Sequence, residues 1–162
     1  MEGSEIVGAS QGSLFQEQAL REVTTQNSGL DDVCRRLRGA FEDVVAWKWD
    51  GRFGTALAEF PAEDKEKVLR ILEGFLVSRW DSATIGEAPE IVQQIKTHFG
   101  GLMPGQLLLL SDPNQDALIY CAWWPWRDGK TISIRVGPYS KEEIAAPDKS
   151  ALTVAFRDWF KV

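Results

Sequence analysis

The chain has 162 residues, of which 44% are apolar and 26% are charged, and its formal net charge is -6. This length favours one domain, and the apolar content is enough to fill one core without disulfide or metal crosslinks. The negative charge gives no general attraction to phosphate groups, so non-specific binding of nucleic acid is disfavoured. The composition also excludes collagen-like, coiled-coil, disulfide-scaffold and wholly disordered proteins.

The N-terminal residues lack the basic region and the apolar stretch of a secretory signal, and no apolar run approaches the about 18 residues that a membrane-spanning helix needs. Cys34 and Cys121 show no CxxC or metal-ligand spacing, so we interpret them as reduced, small apolar residues. A reactive thiol at Cys34, which precedes Arg35 and Arg36, is the alternative. These features predict a cytoplasmic protein that does not bind membranes.

Residues 1–29 are the part of the sequence that least resembles a core, with four acids, one base and no Trp or Tyr. This composition predicts a flexible tail. Ser13 and Gln16 have the spacing of a capping box, which predicts a short docking helix within the tail. Its apolar residues would be Leu14, Phe15, Ala19 and Val23.

Residues 30–162 are predicted to form a single α+β domain that begins with a helix. From Leu30, apolar residues recur at intervals of three and four, the period of a helix packed on one face. This stripe ends at Trp47, where alternation begins, and Asp50-Gly51 follows as a strong hairpin signal. We therefore expect a small hairpin that pairs roughly residues 45–49 with 52–58.

Two more helices are predicted before the main sheet. Pro61 suits the first position of a helix, and the apolar stripe that follows predicts a second helix ending near Trp80. Pro89 and Glu90 open a third helix, which Gly100-Gly101 ends in the position of a left-handed cap.

The pattern then changes to that of strands, predicted at residues 106–111, 117–124 and 131–137. A last helix is predicted from Ser150, which is a suitable cap. Helices followed by an antiparallel meander are typical of an α+β fold, here with three to four helices on a small sheet.

The turn at Asp128-Gly129 predicts the register of the last hairpin. One face would carry the apolar pairs Trp123 with Ile134, Cys121 with Val136, and Pro125 with Ile132. The opposite face would carry Trp124 with Ser133, Trp126 with Thr131, and Ala122 with Arg135.

Trp124, Trp126 and Arg135 are the main candidates for a contact surface, because Trp and Arg are enriched at binding hot spots. The alternative is that helices cover both Trp side chains as ordinary core. Pro125 could also introduce a bulge and shift the register.

The first hairpin offers a second, weaker candidate. Alternation would place Trp47 and Trp49 on one side, with Trp47 in the core. Trp49, close to the turn, is expected either to form a cation-π pair with Arg52 or to contact a partner.

Signals for catalysis are few. His98 is the only histidine, at the expected end of the third helix, where a capping or surface role is favoured. No nucleophile, zinc or nucleotide motif is present, so no metal or cofactor is predicted. The acidic pairs, such as Asp31-Asp32, are adjacent in sequence and fit solvated helix faces better than paired catalytic carboxylates.

These observations leave three hypotheses. The first is a non-enzymatic protein-binding domain of the immunity-protein, adaptor or chaperone type. Its partner would be basic, because residues 1–81 carry 10 bases and 15 acids and aromatic anchors beside acidic groups would attract cations. The second is a small-molecule or carbohydrate-binding module. The third is a small enzyme that uses acidic residues, His98 or Cys34.

Overall fold

The computed structural model describes residues 28–140 and 151–162. Within these ranges the chain forms four α-helices and six β-strands. In chain order these are α1 (Ser28–Ala40), β1 (Lys48–Asp50), β2 (Thr55–Pro61), α2 (Lys65–Phe75), β3 (Ser78–Asp81), α3 (Glu90–His98), β4 (Leu107–Leu110), β5 (Ala117–Pro125), β6 (Thr131–Ser140) and α4 (Ala151–Phe160). The predicted α+β class is confirmed.

All six strands belong to one antiparallel sheet with the order β1-β2-β6-β5-β4-β3. The predicted meander and the predicted N-terminal hairpin are therefore parts of the same sheet, joined where β2 pairs with β6. This long-range pairing leaves no local signal in the sequence, so the predicted sheet is smaller than the observed one.

The predicted register of the last hairpin is confirmed in detail: Trp123 pairs with Ile134, and Trp124 pairs with Ser133. The loop is longer than a two-residue turn, because the Trp126 amide donates to the Thr131 carbonyl and leaves four residues between them. Gly129 has a φ of 69°, a left-handed conformation that glycine adopts without strain. Pro125 ends β5 without shifting the pairing.

Helices cover both faces of the sheet. Because side chains alternate along a strand, Cys121, Trp123 and Ile134 point to one face, where they pack with residues of α1, α2 and α4 in the larger core. The smaller core lies on the opposite face, beneath α3. Its buried members are Ile85, Ile91, Val92, Ile95, Leu108, Leu110, Leu118, Tyr120 and Tyr139.

The predicted end of the second helix is wrong. The helix α2 ends at Phe75, and Leu76 is already extended, with φ -111° and ψ 95°. Trp80 lies in β3, an edge strand in which it pairs with Leu108. The apolar stripe continues past Phe75 into Leu76, which is buried, so the periodicity alone did not reveal where the helix stops.

The first hairpin also differs from its prediction. Its turn spans residues 51–54, and the Gly54 amide donates to the Asp50 carbonyl at 2.9 Å. Gly54 has a φ of 67°, so the left-handed position falls three residues after Gly51. As a result β1 is only three residues long, and β2 begins at Thr55.

The helix α1 begins at Ser28, two residues before the predicted start. The predicted capping box at Ser13 and Gln16 and the predicted cap at Ser150 lie outside the described residues. Within the described part of the chain, every helix is too short or too polar to span a bilayer.

Candidate functional site

The helix α3 covers only part of its face of the sheet. The buried residues that pack in its core come from β4, β5 and the end of β6, and none belongs to β1 or β2. On this face the side chains of β1, β2 and the start of β6 belong to neither core, although Thr55, Leu57 and Ser133 are buried here. Strand alternation places Lys48, Leu57 and Arg135 together here, because Leu57 pairs with both Lys48 and Arg135.

An aromatic–arginine cluster lies on this face, between the smaller core and the first hairpin. We define it as Asp50, Phe53, Phe99, Trp124 and Arg135. The Arg135 guanidinium lies 4.5 Å from the ring centroid of Trp124 and 5.2 Å from that of Phe53. Its Nε donates to the Asp50 Oδ2 at 3.0 Å, and the two side chains are only 17% and 16% exposed.

Trp124 contacts the other two rings of the cluster edge to face, and those two rings lie tilted at 38° to each other. Trp124 packs at 5.1 Å and 86° against Phe99, and at 5.9 Å and 77° against Phe53. Such geometries match the electrostatics of aromatic rings and add about 0.5–1.5 kcal/mol per pair beyond burial. The turn 51–54, which carries Phe53, is thereby fixed over the sheet and half-buries Trp124.

His98 lies beside this cluster. It is the last residue of α3, as predicted, and it is exposed. One ring nitrogen, Nε2, is 3.2 Å from the Phe53 carbonyl oxygen, and the ring packs edge-on against Phe53 and Phe99. A hydrogen bond to this carbonyl makes Nε2 the protonated nitrogen, so His98 ties α3 to the first hairpin turn.

The structure brings together three of the five contact residues that the sequence analysis nominated. Trp124 and Arg135 touch directly. Arg52 joins them through Phe53, because its guanidinium lies 4.9 Å from the Phe53 ring. Trp126 lies further along the same face, at the end of the hairpin, and is 45% exposed.

Trp49 does not belong to this surface, and its cation-π partner is not Arg52, which was one of the two roles predicted for it. Trp49 faces the larger core, where it packs 6.5 Å from Phe156. Its cation-π partner is Arg157 of α4, 4.4 Å from the ring centroid. Trp47 also packs in this core, between Phe41 and Phe160, as predicted.

The charge around the cluster is mixed. On this face Lys48, Arg52 and Arg135 are cationic, whereas Asp50 and Glu59 are acidic. The prediction of an acidic surface beside Trp124 and Trp126 therefore does not hold for the strand residues and the turn that form this face. Asp31 and Asp32, which are part of the acidic N-terminal half, are paired with Arg35 and Arg36 on α1.

The two thiols, one of which was nominated for catalysis, are not placed to react. Cys34 and Cys121 are free, fully buried thiols, and burial raises the pKa of each far above its ordinary value. A thiol with such a pKa is not ionised at neutral pH and is a poor nucleophile. Within residues 28–140 and 151–162, no three His, Cys, Asp or Glu side chains are placed to hold a metal ion.

A second concave feature runs along α3 on the side of the aromatic–arginine cluster. This groove, which we call the α3 groove, encloses about 400 Å³ and is lined mostly by apolar atoms of Glu90, Gln93, Gln94, Thr97, His98 and Tyr139. The Tyr139 hydroxyl donates to the Gln94 Oε1 at 2.8 Å, which fixes the amide. The groove presents carboxylate, amide, hydroxyl and imidazole groups on one side of α3.

Asp50, Phe53 and Phe99 belong to the site but were not among the predicted contact residues. Asp50 was seen only as a turn residue, and its ion pair with Arg135 depends on the pairing of β2 with β6. Phe99 follows His98 at the end of α3 and directly precedes the left-handed Gly100. Apolar residues beside such a cap frequently make a hydrophobic contact, and this was the one local signal that the Phe99 side chain packs against the protein.

Comparison with known proteins gives no guide to function. No family model, no curated protein and no solved structure matches this chain.

Proposed function

We propose that this protein is a non-enzymatic protein-binding domain, of the immunity-protein, adaptor or chaperone type, and that its contact surface is centred on Trp126. The observation that carries the proposal is the 45% exposure of this large aromatic side chain at the end of the hairpin formed by β5 and β6. Exposed Trp side chains are rare in isolated domains and frequent as anchors at interfaces.

The hairpin turn beside Trp126 supports this role because it is held in one conformation. The Asp128 carboxylate accepts hydrogen bonds from the Lys130 amide and from the amide and hydroxyl of Thr131. These bonds, chiefly that of Lys130, lower the pKa of Asp128. An anchor on an ordered turn loses little entropy on binding, which favours affinity.

Trp124 and Arg135 support the surface without offering free ring faces. The guanidinium of Arg135 already covers Trp124 at 4.5 Å, so a partner would meet the outer edge of the cluster. In this proposal the aromatic–arginine cluster packs beneath the interface and holds its residues in place, and Trp126 supplies the main contact that is buried in the complex.

The mixed charge of the face bears on the partner. A basic partner was expected from the acidity of the sequence, but with Arg127, Asp128 and Lys130 of the hairpin turn included the Trp surface carries five bases and three acids, so it does not favour a basic partner. We therefore propose a protein partner of mixed charge whose affinity depends mainly on burial of Trp126, with only weak dependence on ionic strength.

The test is affinity capture from the native host with four forms of the chain: wild type, Trp126→Ala, Trp126→Phe and Val154→Ala. Val154 is the matched control, because it is an apolar residue of α4 that is 57% exposed. We expect a stoichiometric partner that binds the wild type and Val154→Ala, weakens with Trp126→Phe and is lost with Trp126→Ala. A partner retained by Trp126→Ala, or the recovery of none, would contradict the proposal.

A second candidate function is the binding of a small molecule, such as a sugar, in the α3 groove, where a few polar groups lie among mostly apolar lining atoms. Its volume of about 400 Å³ lies within the range of small-ligand sites, and its side chains can both donate and accept hydrogen bonds. Stacking on the predicted Trp platforms is less favoured, because Arg157 covers Trp49 and Arg135 covers Trp124.

Titration with a panel of sugars and polar metabolites separates the two functions. A ligand of this groove would shift the amide signals of Gln94 and Thr97 in NMR spectra, and Gln94→Ala would abolish the shift. The control is Gln115→Ala, an exposed amide in the turn between β4 and β5. The absence of any shift across the panel would remove this candidate.

A further inference from the structure

A second groove, which we call the α1 groove, lies at the opposite end of the sheet from Trp126. It encloses about 430 Å³ between the start of α1, the end of α2 and the turn that joins β4 to β5. Its lining is largely apolar and includes Leu30, Val33, Phe75, Val77 and Ala117.

The α1 groove leaves apolar surface uncovered by the described residues. Val77 is 78% exposed, the highest value among the large apolar side chains that the structure describes. Phe75 is half-buried beside it, with the Arg36 guanidinium 5.7 Å from its ring. An exposed apolar patch continuous with the core is typical of a surface that binds another chain segment.

The chain itself supplies a segment of matching character close by. Residues 14–23 carry the apolar residues Phe15, Ala19 and Val23 at intervals of four, with Leu14 beside them. Such spacing brings apolar side chains to one side of a segment. The residues between them are mostly polar or charged, so this segment has one apolar side to bury.

Connectivity favours this segment over any separate molecule. Only six residues, 24–29, link Val23 to Leu30, which itself lines the α1 groove. Seven Cα–Cα steps span at most about 25 Å, so Val23 stays within that distance of Leu30. A tether of this length gives an effective concentration in the millimolar range, far above that of a typical protein partner.

We propose that the α1 groove is an intramolecular docking site and that its occupant is the chain's own segment 14–23. Leu14 and Phe15 cover Val77 and Phe75, which removes the most exposed apolar surface of the described structure from water. This proposal is independent of the function assigned to Trp126, because the two surfaces lie at opposite ends of the sheet.

Disulfide trapping in the full chain tests the proposal. The variant with Phe15→Cys and Val77→Cys should form an intramolecular disulfide rapidly under mild oxidation. The control pairs Phe15→Cys with Val154→Cys, on α4, and should crosslink at least tenfold more slowly. The natural thiols do not interfere, because Cys34 and Cys121 are buried. Equal crosslinking rates in the two variants would overturn the proposal.

Hydrogen exchange gives a second readout that does not require a crosslink. In the wild-type chain, amides of residues 14–23 should exchange at least tenfold more slowly than in Val77→Asp, whereas Val154→Asp should leave them unchanged. Asp at position 77 is compatible with folding, because the side chain is 78% exposed, and circular dichroism checks this. Exchange that is fast in the wild type, or slow in Val77→Asp, would contradict docking in this groove.

Discussion

Replacement of Arg135 by Met tests whether the aromatic–arginine cluster holds the first hairpin turn on the sheet. Met retains much of the apolar stem but removes the charge that faces Asp50 at 3.0 Å and Trp124 at 4.5 Å. Breaking a fully buried ion pair costs about 3–5 kcal/mol. Because both side chains are about one-sixth exposed, we expect the lower end of this range, about 3 kcal/mol, with the lost cation-π contacts included.

The assay is urea unfolding at 25 °C followed by far-UV circular dichroism, which does not depend on the altered Trp environment. A double-mutant cycle with Asp50→Asn should give a coupling energy of about 1.5 kcal/mol between Asp50 and Arg135. The control cycle uses Asp32 and Arg36, a pair on α1 at 3.4 Å whose side chains are 65% and 68% exposed. Its coupling should be about 0.3 kcal/mol. Equal coupling energies in the two cycles would refute the role assigned to the buried pair.

Four further predictions concern single features of the fold and the surface. Gly137→Ala should destabilise the protein by about 1–3 kcal/mol in urea unfolding, since the new Cβ would lie 2.9 Å from the Tyr120 hydroxyl. The control Gly39→Ala, whose Cβ would have nothing within 4 Å, should be neutral or stabilising. A larger loss of stability in Gly39→Ala than in Gly137→Ala would contradict this prediction. Cys34 and Cys121 should react with a thiol reagent only after unfolding, and fast labelling of the folded protein would disprove this. The free energy of unfolding should fall as pH rises above about 9. Burial raises both thiol pKa values in the folded state, so above this pH only the unfolded chain loses the thiol protons. Phe156→Ala, at a fully buried site, should cost about 3–5 kcal/mol in the same assay, and Phe75→Ala should cost less, because Phe75 is only half-buried. Trp124→Ala should lower the thermal midpoint by about 5–10 °C through the loss of about 2–3 kcal/mol, whereas Trp126→Ala should leave it almost unchanged; equal midpoints would mean that the two rings do not differ in burial.

The parts of the fold that were predicted correctly depend on local chemistry. The turn at Asp128-Gly129 lies between two alternating strands, so neighbouring residues were enough to define the register from Trp123 to Arg135. The third helix was predicted closely, from its proline start to its left-handed glycines, because both signals are adjacent to the helix.

The parts that were missed depend on distant contacts. The strand β3 has only four residues and exists because it pairs with β4 at the edge of the sheet. Likewise, the pairing of β2 with β6 brings Asp50 to Arg135, which are 85 residues apart. No local sequence pattern indicates these pairings. Arg135 was predicted as a contact residue because it is an arginine on the same face as Trp124, and its contacts with Asp50 and Phe53 were not predicted.

Trp124 and Trp126 differ in exposure, so only Trp126 is retained as the main predicted contact residue. The sequence placed Trp124 and Trp126 on one face, and the structure separates them into a half-buried and an exposed ring. This difference arises from the turn 51–54 and from Phe99, which cover Trp124. Those elements come from outside the hairpin whose register was predicted.

The most direct measurement is hydrogen–deuterium exchange of the chain, alone and bound to the partner that affinity capture identifies. The proposed function predicts that binding slows exchange at residues 126–131 and in the adjoining strand β2, and that α1 and α4 are unaffected. Slower exchange confined to α1 or α4, with residues 126–131 unchanged, would contradict a contact surface centred on Trp126.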